Sequence, residues 1–463
     1  MSKPQMKNAA IAGLLALATP LAASAVTLCV NPGGTGGCYA SIAGALQNIQ
    51  HDGADVIDVV AGTYYERNIT VFAPVQIRGA GMGLTIVDGS LGGSGPNVFR
   101  FWEGSGHSSL SGMTIQRGRR GVDAGRFNTI TLERVRVTAN GPESGAGVFN
   151  GASILYVKSS LIDGNFATDN NSLAGCDWGG GSGGGIAALC GGTATFISDS
   201  AIVGNTASRW GGGLMLNDGL HVIENTTISG NAAHFPDAGL GGGGLFVGGG
   251  SPDVTVRFST IADNTAVGTG GVLGSNIKLY ASLLQGNTGR ACTGSIASLG
   301  YNVVSDATCV LGQPGDAAST DALLEPLSDN GNGTLSHGFG AASPAVDRVP
   351  LAACTVAADQ DGVARPQHGA CDSGAYEHVF TATELLELLL ADVAGVGPGG
   401  SIAGKLSAAL AAASSGNTGA ACNMLAALRN EVTAQAGKKI PVGTANSILT
   451  AVAEVRATLG CGA

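Results

Sequence analysis

From Asn128 to Asn287 the apolar positions recur in one short pattern that closes each time on an asparagine. Asn140, Asn165, Asn205, Asn231, Asn264 and Asn287 each follow an aliphatic residue three positions back: Val137, Ile162, Ile202, Ile228, Ile261 and Leu284. Eight back stand Leu132, Val157, Ile197, Ile223, Val256 and Leu279; ten back stand Ile130, Leu155, Thr195, His221, Val254 and Ile277. Side chains alternate faces along a strand, so the ten-back and eight-back positions share one face. The step through the five-back position, Val135 or a small Ser or Thr, changes parity and marks a bend between two short strands. After each asparagine comes a variable loop, then a glycine cluster and an aliphatic run: Gly183 to Ile186, Gly211 to Leu214, Gly241 to Leu245, Gly270 to Val272.

A fixed inward set with variable insertions is a stacked repeat. A coil of roughly 20 residues cannot bury its own apolar face, and stacked neighbours do that for one another. The pattern therefore predicts a mainly β fold, a parallel β-helix. Its asparagines fall in register about 4.8 Å apart with their amides bonded along the stack, and its glycines supply positive φ at the corners.

Upstream, Ser41 is placed to cap a short helix whose Ile42, Ala45, Leu46 and Ile49 share one face. Such a helix covers the open edge of the first coil. Strands follow at Val56–Val60, Val75–Ile77 and Thr85–Val87, separated by turns at Gly62-Thr63-Tyr64 and Gly79 to Gly83. Past Asn287 the pattern loosens, with Ile296 to Val304 as further coils. After His378 alanine and leucine dominate. Leu385–Val393, Ile402–Ala413, Ala420–Ala436 and Thr444–Leu459 have helical spacing, broken at Gly397-Pro398-Gly399-Gly400, Ser414 to Asn417 and Gly437 to Gly443. The expected organisation is a signal peptide at 1–25, a β-helix over 26–378 with a closing segment at 343–378, and a four-helix bundle over 379–463.

Several of these stretches resemble known families. Asp55-Val56-Ile57-Asp58-Val59-Val60-Ala61-Gly62-Thr63-Tyr64 and Ile77-Arg78-Gly79-Ala80-Gly81 resemble the opening of pectate-lyase-like right-handed β-helix proteins. The glycine-aliphatic and asparagine elements resemble repeats of bacterial surface β-helix proteins, including the polymorphic outer-membrane proteins. Ser343-Pro344-Ala345-Val346-Asp347, Asp359-Gln360-Asp361-Gly362, Arg365-Pro366 and Cys371-Asp372-Ser373-Gly374-Ala375-Tyr376-Glu377 resemble the choice-of-anchor Q segment that closes many secreted β-helices. That family usually has arginine where Asp361 stands. Gly416-Asn417, Ala420 to Val432 and Gly437-Lys438 resemble the FIMAH domain, a small helical module of extracellular bacterial proteins. Together the resemblances imply a right-handed parallel β-helix followed by a C-terminal helical bundle, on a secreted or surface-displayed protein.

Composition fits that picture. The chain has 77 glycines and only 12% charged residues, but the glycines fall at repeat corners, the mark of an ordered solenoid. Lys3 and Lys7, the apolar run Ala9 to Ala18 and Ala23-Ser24-Ala25 form a secretory signal. Its removal takes the formal charge from −10 to about −12, and nothing later is long and apolar enough to span a bilayer. The ten cysteines fall as neighbours, Cys29/Cys38, Cys176/Cys190, Cys292/Cys309, Cys354/Cys371 and Cys422/Cys461. In an exported chain this predicts five local disulfides. The acidic balance and the lack of a nucleotide-binding loop, nucleophile elbow or zinc pattern exclude nucleic-acid binding and those chemistries.

All insertions leave from the same corner of successive coils and pile up on one side. That side gathers Asp177, Trp178, Arg209, Trp210, His234, Phe235 and Asp237, aromatics flanked by charges of the kind that suits sugar rings. The competing reading is that Trp178 and Trp210 pack on one another to order the loops. Outward from the first strand, Glu133 beside Lys158 and Glu224 beside Arg257 read as cross-strand ion pairs. Arg117, Arg119, Arg120, Arg126, Arg134 and Arg136 form a basic patch able to meet a polyuronate. Asp169-Asn170-Asn171 hints at calcium without a recognised motif, so no cofactor is expected. Asp177 and Asp237 are the carboxylates a hydrolase would need face to face, and His221 reads as a core histidine. A glycan- or partner-binding scaffold is preferred. A polysaccharide lyase or glycoside hydrolase is the alternative, because no complete catalytic set assembles.

Overall fold

The computed structural model describes residues 25–50, 55–90, 96–168, 180–234, 241–397 and 400–462. The expected signal peptide at 1–25 lies outside them except for Ala25. The chain winds into a parallel β-helix whose strands stack coil on coil in one large sheet. In the central coils a first row of strands (Ile154–Lys158, Thr193–Ser198, Gly219–Glu224, Pro252–Arg257) pairs in parallel throughout. A second row (Leu161–Asp163, Ala201–Val203, Thr227–Ser229, Thr260–Ala262, Leu283–Gln285) follows the bend. A third (Val148–Asn150, Ile186–Ala188, Leu214–Leu216, Leu245–Val247) follows the glycine clusters. The inward positions read from the sequence are buried at every coil, including Thr195 and His221.

Two polar ladders set the register. From Asn165 onward, each ladder asparagine accepts at its Oδ1 both the backbone N–H and the Nδ2 of the asparagine one coil earlier. From Asn140 onto Asn165, for example, both distances are 3.0 Å. Its own Nδ2 also reaches the carbonyl of the previous coil's three-back aliphatic, as from Asn205 to Ile162 at 2.8 Å. The series runs unbroken to Asn287. The second ladder is made by hydroxyls at the five-back position. Ser160 accepts from Val135 N, Ser200 from Ser160 N, Ser259 from Thr226 N and Ser282 from Ser259 N. Just before it the chain turns through a left-handed residue in every coil: Arg134, Ser159, Asp199, Asn225, Phe258 and Ala281.

Glycine has two jobs at the corners. Immediately before the ladder asparagine the backbone is left-handed in all six coils, and glycine fills that place at Gly164, Gly204, Gly230 and Gly286. In the glycine clusters the last residue is constrained by space instead. A Cβ on Gly185 would lie 2.7 Å from the Gly213 carbonyl and 3.1 Å from Asn205 Nδ2. The ladder amide and the glycine–aliphatic element thus require each other.

The ends and flanks are closed separately. Helix α1 (Ile42–Leu46) is capped by Ser41, as expected, and packs its buried Ile42, Ala45 and Leu46 on the first coils. Cys29–Cys38 ties the loop beside it, and Cys292–Cys309 ties the far end. The closing segment does not cap the end of the solenoid. It folds back along the second row's outer face: Gln360 accepts from Thr227 Oγ1 at 2.7 Å, Ala375 N donates to Thr260 Oγ1 at 3.1 Å, and Gly374 N to Ala281 O at 2.8 Å. The outer face of that row is polar and small, so it offers hydroxyls to a covering segment. Within the segment Arg365 is buried against the Phe258 ring (5.0 Å) and 3.5 Å from Glu377. Burial, more than the charge of neighbouring Asp372, pushes the Glu377 carboxyl up to about 7. Asp361, in the place of the family's arginine, accepts from Ser336 Oγ at 2.6 Å. Cys354–Cys371 pins the segment.

Four helices follow, α2 (Ala382–Asp392), α3 (Ser401–Ser414), α4 (Thr418–Gln435) and α5 (Val442–Thr458). Thr381 and Glu384 form a reciprocal cap on α2, and Asn417 caps α4. Leu386, Leu406, Leu425, Leu428 and Val452 fill their shared core. Cys422–Cys461 closes the bundle. The bundle meets the closing segment through Phe380, His368–Glu454 (2.9 Å) and His378–Glu384 (3.3 Å). Cys190 is disulfide-bonded as well; its expected partner Cys176 lies outside the described residues.

Asn205→Ala removes the acceptor of the buried Asn165 N–H and one of the acceptors of Asn165 Nδ2, together with the bond from Asn205 Nδ2 to Ile162 O. An orphaned buried group costs about 1–3 kcal/mol, and a loss of that size is expected in denaturant unfolding. Asn446→Ala, on the exposed face of α5, is expected to change stability by no more than about 0.5 kcal/mol.

Candidate functional site

The side chains anticipated on the loop side divide sharply. Asp177, Trp178, Phe235 and Asp237 lie outside the described residues, as do Asp169, Asn170 and Asn171. Trp210 is half-buried and stacked on Phe246, with ring centroids 5.6 Å apart and planes at 21°. Both rings pack on Phe149, Ala187, Leu189 and Met215. Arg209 lies over the Trp210 indole at 4.9 Å, and His234 is exposed. Trp210 therefore orders its segment by packing, on Phe246 of the sheet face.

The open part of this face lies one step toward the N-terminus. In the third row's outward positions Arg100, Asp123, Phe149 and Ala187 follow one another coil by coil. Above Asp123 and Phe149 is a trough of about 300 Å3. Gly125, Gly151, Trp102, Glu103, Arg126 and Cys190 also line it. Trp102 is 48% exposed and Phe72, in the preceding coil, 63%; their rings meet at 5.6 Å and 40°. Arg100 stacks on Trp102 at 5.3 Å. Arg120 is buried flat on Phe149 at 4.1 Å, donating from Nε to Ser144 O at 2.8 Å, with Glu143 at 3.3 Å and Asp123 at 3.8 Å. Asn97 Nδ2 (2.9 Å) and Gly125 N (3.1 Å) donate to Asp123, fixing its carboxylate. The trough thus has an aromatic wall and an arginine on it. Its second arginine is held rigidly by carboxylates, an arrangement that grips a ring with a polar rim.

The basic patch is largely neutralised. Arg117 pairs with Asp88 (2.9 Å), Arg119 with Glu143 (2.6 Å), Arg134 with Glu133 (2.7 Å) and Arg136 with Asp163 (2.7 Å). Glu133 precedes Arg134 in its own strand, whereas Asp88, Glu143 and Asp163 come from neighbouring coils, pairings the count of basic residues could not reveal. Glu224 and Arg257 form the expected cross-strand pair at 2.5 Å. Glu133 does not pair with Lys158, which sits over Tyr156 at 5.5 Å instead.

His221 is a core histidine, as read. Its Nε2 donates to Asn217 O at 2.7 Å, while Nδ1 is buried with no partner among the described residues. Burial pushes its pKa below the ordinary imidazole value. A folded pKa below the unfolded one means that the unfolded chain takes the proton first. His221's contribution to stability is complete above about pH 6.5 and is lost as the pH falls toward its folded value. Thermal melts of the native chain and of His221→Leu between pH 7 and 5 are expected to show a smaller acid-side decrease in the variant.

A family model described as a right handed beta helix region matches residues 97–282, which gives the hand of the coil. No curated protein matches the chain. Among solved structures, a pectin methylesterase mutant in complex with hexasaccharide IV is similar at 11% identity and a TM-score of 0.31. The match covers 62% of this chain and 91% of that one. Pectin methylesterase PemA from Erwinia chrysanthemi is similar at 12% identity and a TM-score of 0.31, over 60% of this chain and 94% of that one. Likeness at this level carries no argument about activity.

Proposed function

We propose that the protein is a secreted or cell-surface scaffold that binds glycan through the outward face of the third strand row. The observation that carries this reading is the trough between Trp102 and Cys190, with its exposed indole and its arginines. Apolar ring faces rimmed by charged donors and acceptors are what a pyranose, with its apolar faces and equatorial hydroxyls, requires. The disulfides accord with export, and no helix among the described residues is long and apolar enough to cross a membrane. In this reading the leader at 1–25 directs export, the closing segment is of the choice-of-anchor Q type and the bundle is FIMAH-like.

A second reading rests on one feature. Glu103 and Asp123 both line the trough, and two carboxylates flanking a bound sugar are the minimum for hydrolysis. Against it, Asp123 is held in a fixed structural role by Asn97, Gly125 and Arg120.

Titration calorimetry against a panel of neutral and uronic-acid polysaccharides separates the readings. Binding without new reducing ends or new ultraviolet absorbance is expected. Trp102→Ala is expected to weaken binding tenfold or more, about 1.4 kcal/mol. Appearance of product with the native chain, lost in Asp123→Asn, is the result that would establish the enzyme instead.

A further inference from the structure

The shape of the trough says which part of a glycan enters it. Continuing the strand register to the next outward position brings Phe72, Trp102, Gly125, Gly151 and Leu189 into line, one per coil. Large side chains, Trp102 and Leu189, stand at both ends of that line, and the trough occupies the gap between them. Two strand spacings make the gap about 10 Å long along the solenoid axis.

Both ends of the gap are shut. Toward the N-terminus stands Trp102, backed by Phe72 at 5.6 Å and topped by Arg100. Toward the C-terminus Leu189, Ala187 and Met215 are fully buried, with Trp210 and Phe246 packed on them. The sheet face that a long chain would follow is therefore already occupied beyond the trough. The trough is open to solvent along its top, and its volume, about 300 Å3, is at the small end of the range for ligand sites and is room for about one or two pyranose rings.

We infer that the trough recognises the end of a glycan chain, one or two terminal sugar residues entering crosswise, and not the interior of a polymer laid along the solenoid. This rests on the glycan-binding reading above and assigns it a ligand class. At Gly125 the backbone is left-handed (φ 62°) and a Cβ would lie 2.2 Å from the Phe101 carbonyl, so glycine there lets two coils approach closely beneath the trough.

The test is calorimetric titration of the full chain with cello-, xylo- and galacturonic-acid oligosaccharides of one, two, four and eight units, and with the parent polymers. In the series that binds, affinity per chain is expected to level off at two units, with one protein per chain at every length, polymer included. Trp102→Ala, a change at an exposed wall, is expected to weaken binding at least tenfold at all lengths while leaving the thermal unfolding midpoint unchanged. Affinity that climbs steadily to eight units, or several proteins per polymer chain, would overturn end recognition and leave glycan binding standing. No binding of any series or polymer by the native chain would remove the glycan reading itself, and this inference with it.

Discussion

The amide-to-amide bond between successive asparagines is the constraint on which the rest of the structure depends. It is buried and bidentate at the acceptor oxygen, so one coil can sit on the next at a single offset. A slip by one residue would turn every aliphatic side chain outward and strand the amides in an apolar core. The glycine clusters are the steric counterpart of the ladder: the space a Cβ would need is filled by the neighbouring carboxamide. The left-handed residue before each hydroxyl, at Arg134 through Ala281, is tolerated for the same reason. Strain at one such residue costs about 1 kcal/mol or more, and the ladder hydroxyl beside it gives the freed N–H an acceptor.

Once the register is fixed, so is the place from which each insertion departs. The insertions share a side, but what is visible of their contacts is spent on covering the third row. Phe149, Met215 and Phe246 are apolar on the outer face of a sheet and need a cover, and Trp210 supplies part of it. The cover ends where the outer row changes from apolar to charged at Asp123 and Arg100, and the trough opens at that margin. The closing segment does the equivalent on the second row, where hydroxyls at Thr227 and Thr260 meet polar partners.

How much of this is legible in the sequence follows from the range of each interaction. The buried set, the ladder, the α1 cap and the four helices are readable because each depends on spacing within one coil or one helix. The bend at the five-back position is readable only as a change of parity; nothing in residues as different as Arg134, Ser159 and Phe258 announces a left-handed backbone. The trough escapes a sequence reading because Trp102, Gly125 and Gly151 belong to three different coils, two of them upstream of the clean repeat. They become neighbours only when strand register is known. The stacking of Trp210 on Phe246 is likewise hidden in the sequence, because Phe246 is the middle residue of a distant strand with no local signal. The arginine run looks basic because its acids, Asp88, Glu143 and Asp163, come from adjacent coils. Chain order places the closing segment at the end of the solenoid, whereas its affinity is for a hydroxyl-bearing flank.

The ladder also has a direction. Along it each carboxamide nitrogen donates to the oxygen of the next coil and each oxygen accepts from the coil before, from Asn140, whose oxygen takes the N–H of Gly118, to Asn287. Along the ladder each joint is chemically the same as the next, while the outer flanks differ from coil to coil, with the closing segment on Thr227, Thr260 and Ala281. The joint itself therefore sets no limit on the number of windings; what ties this chain to its number is the closing segment, whose contacts need three successive coils at fixed spacing.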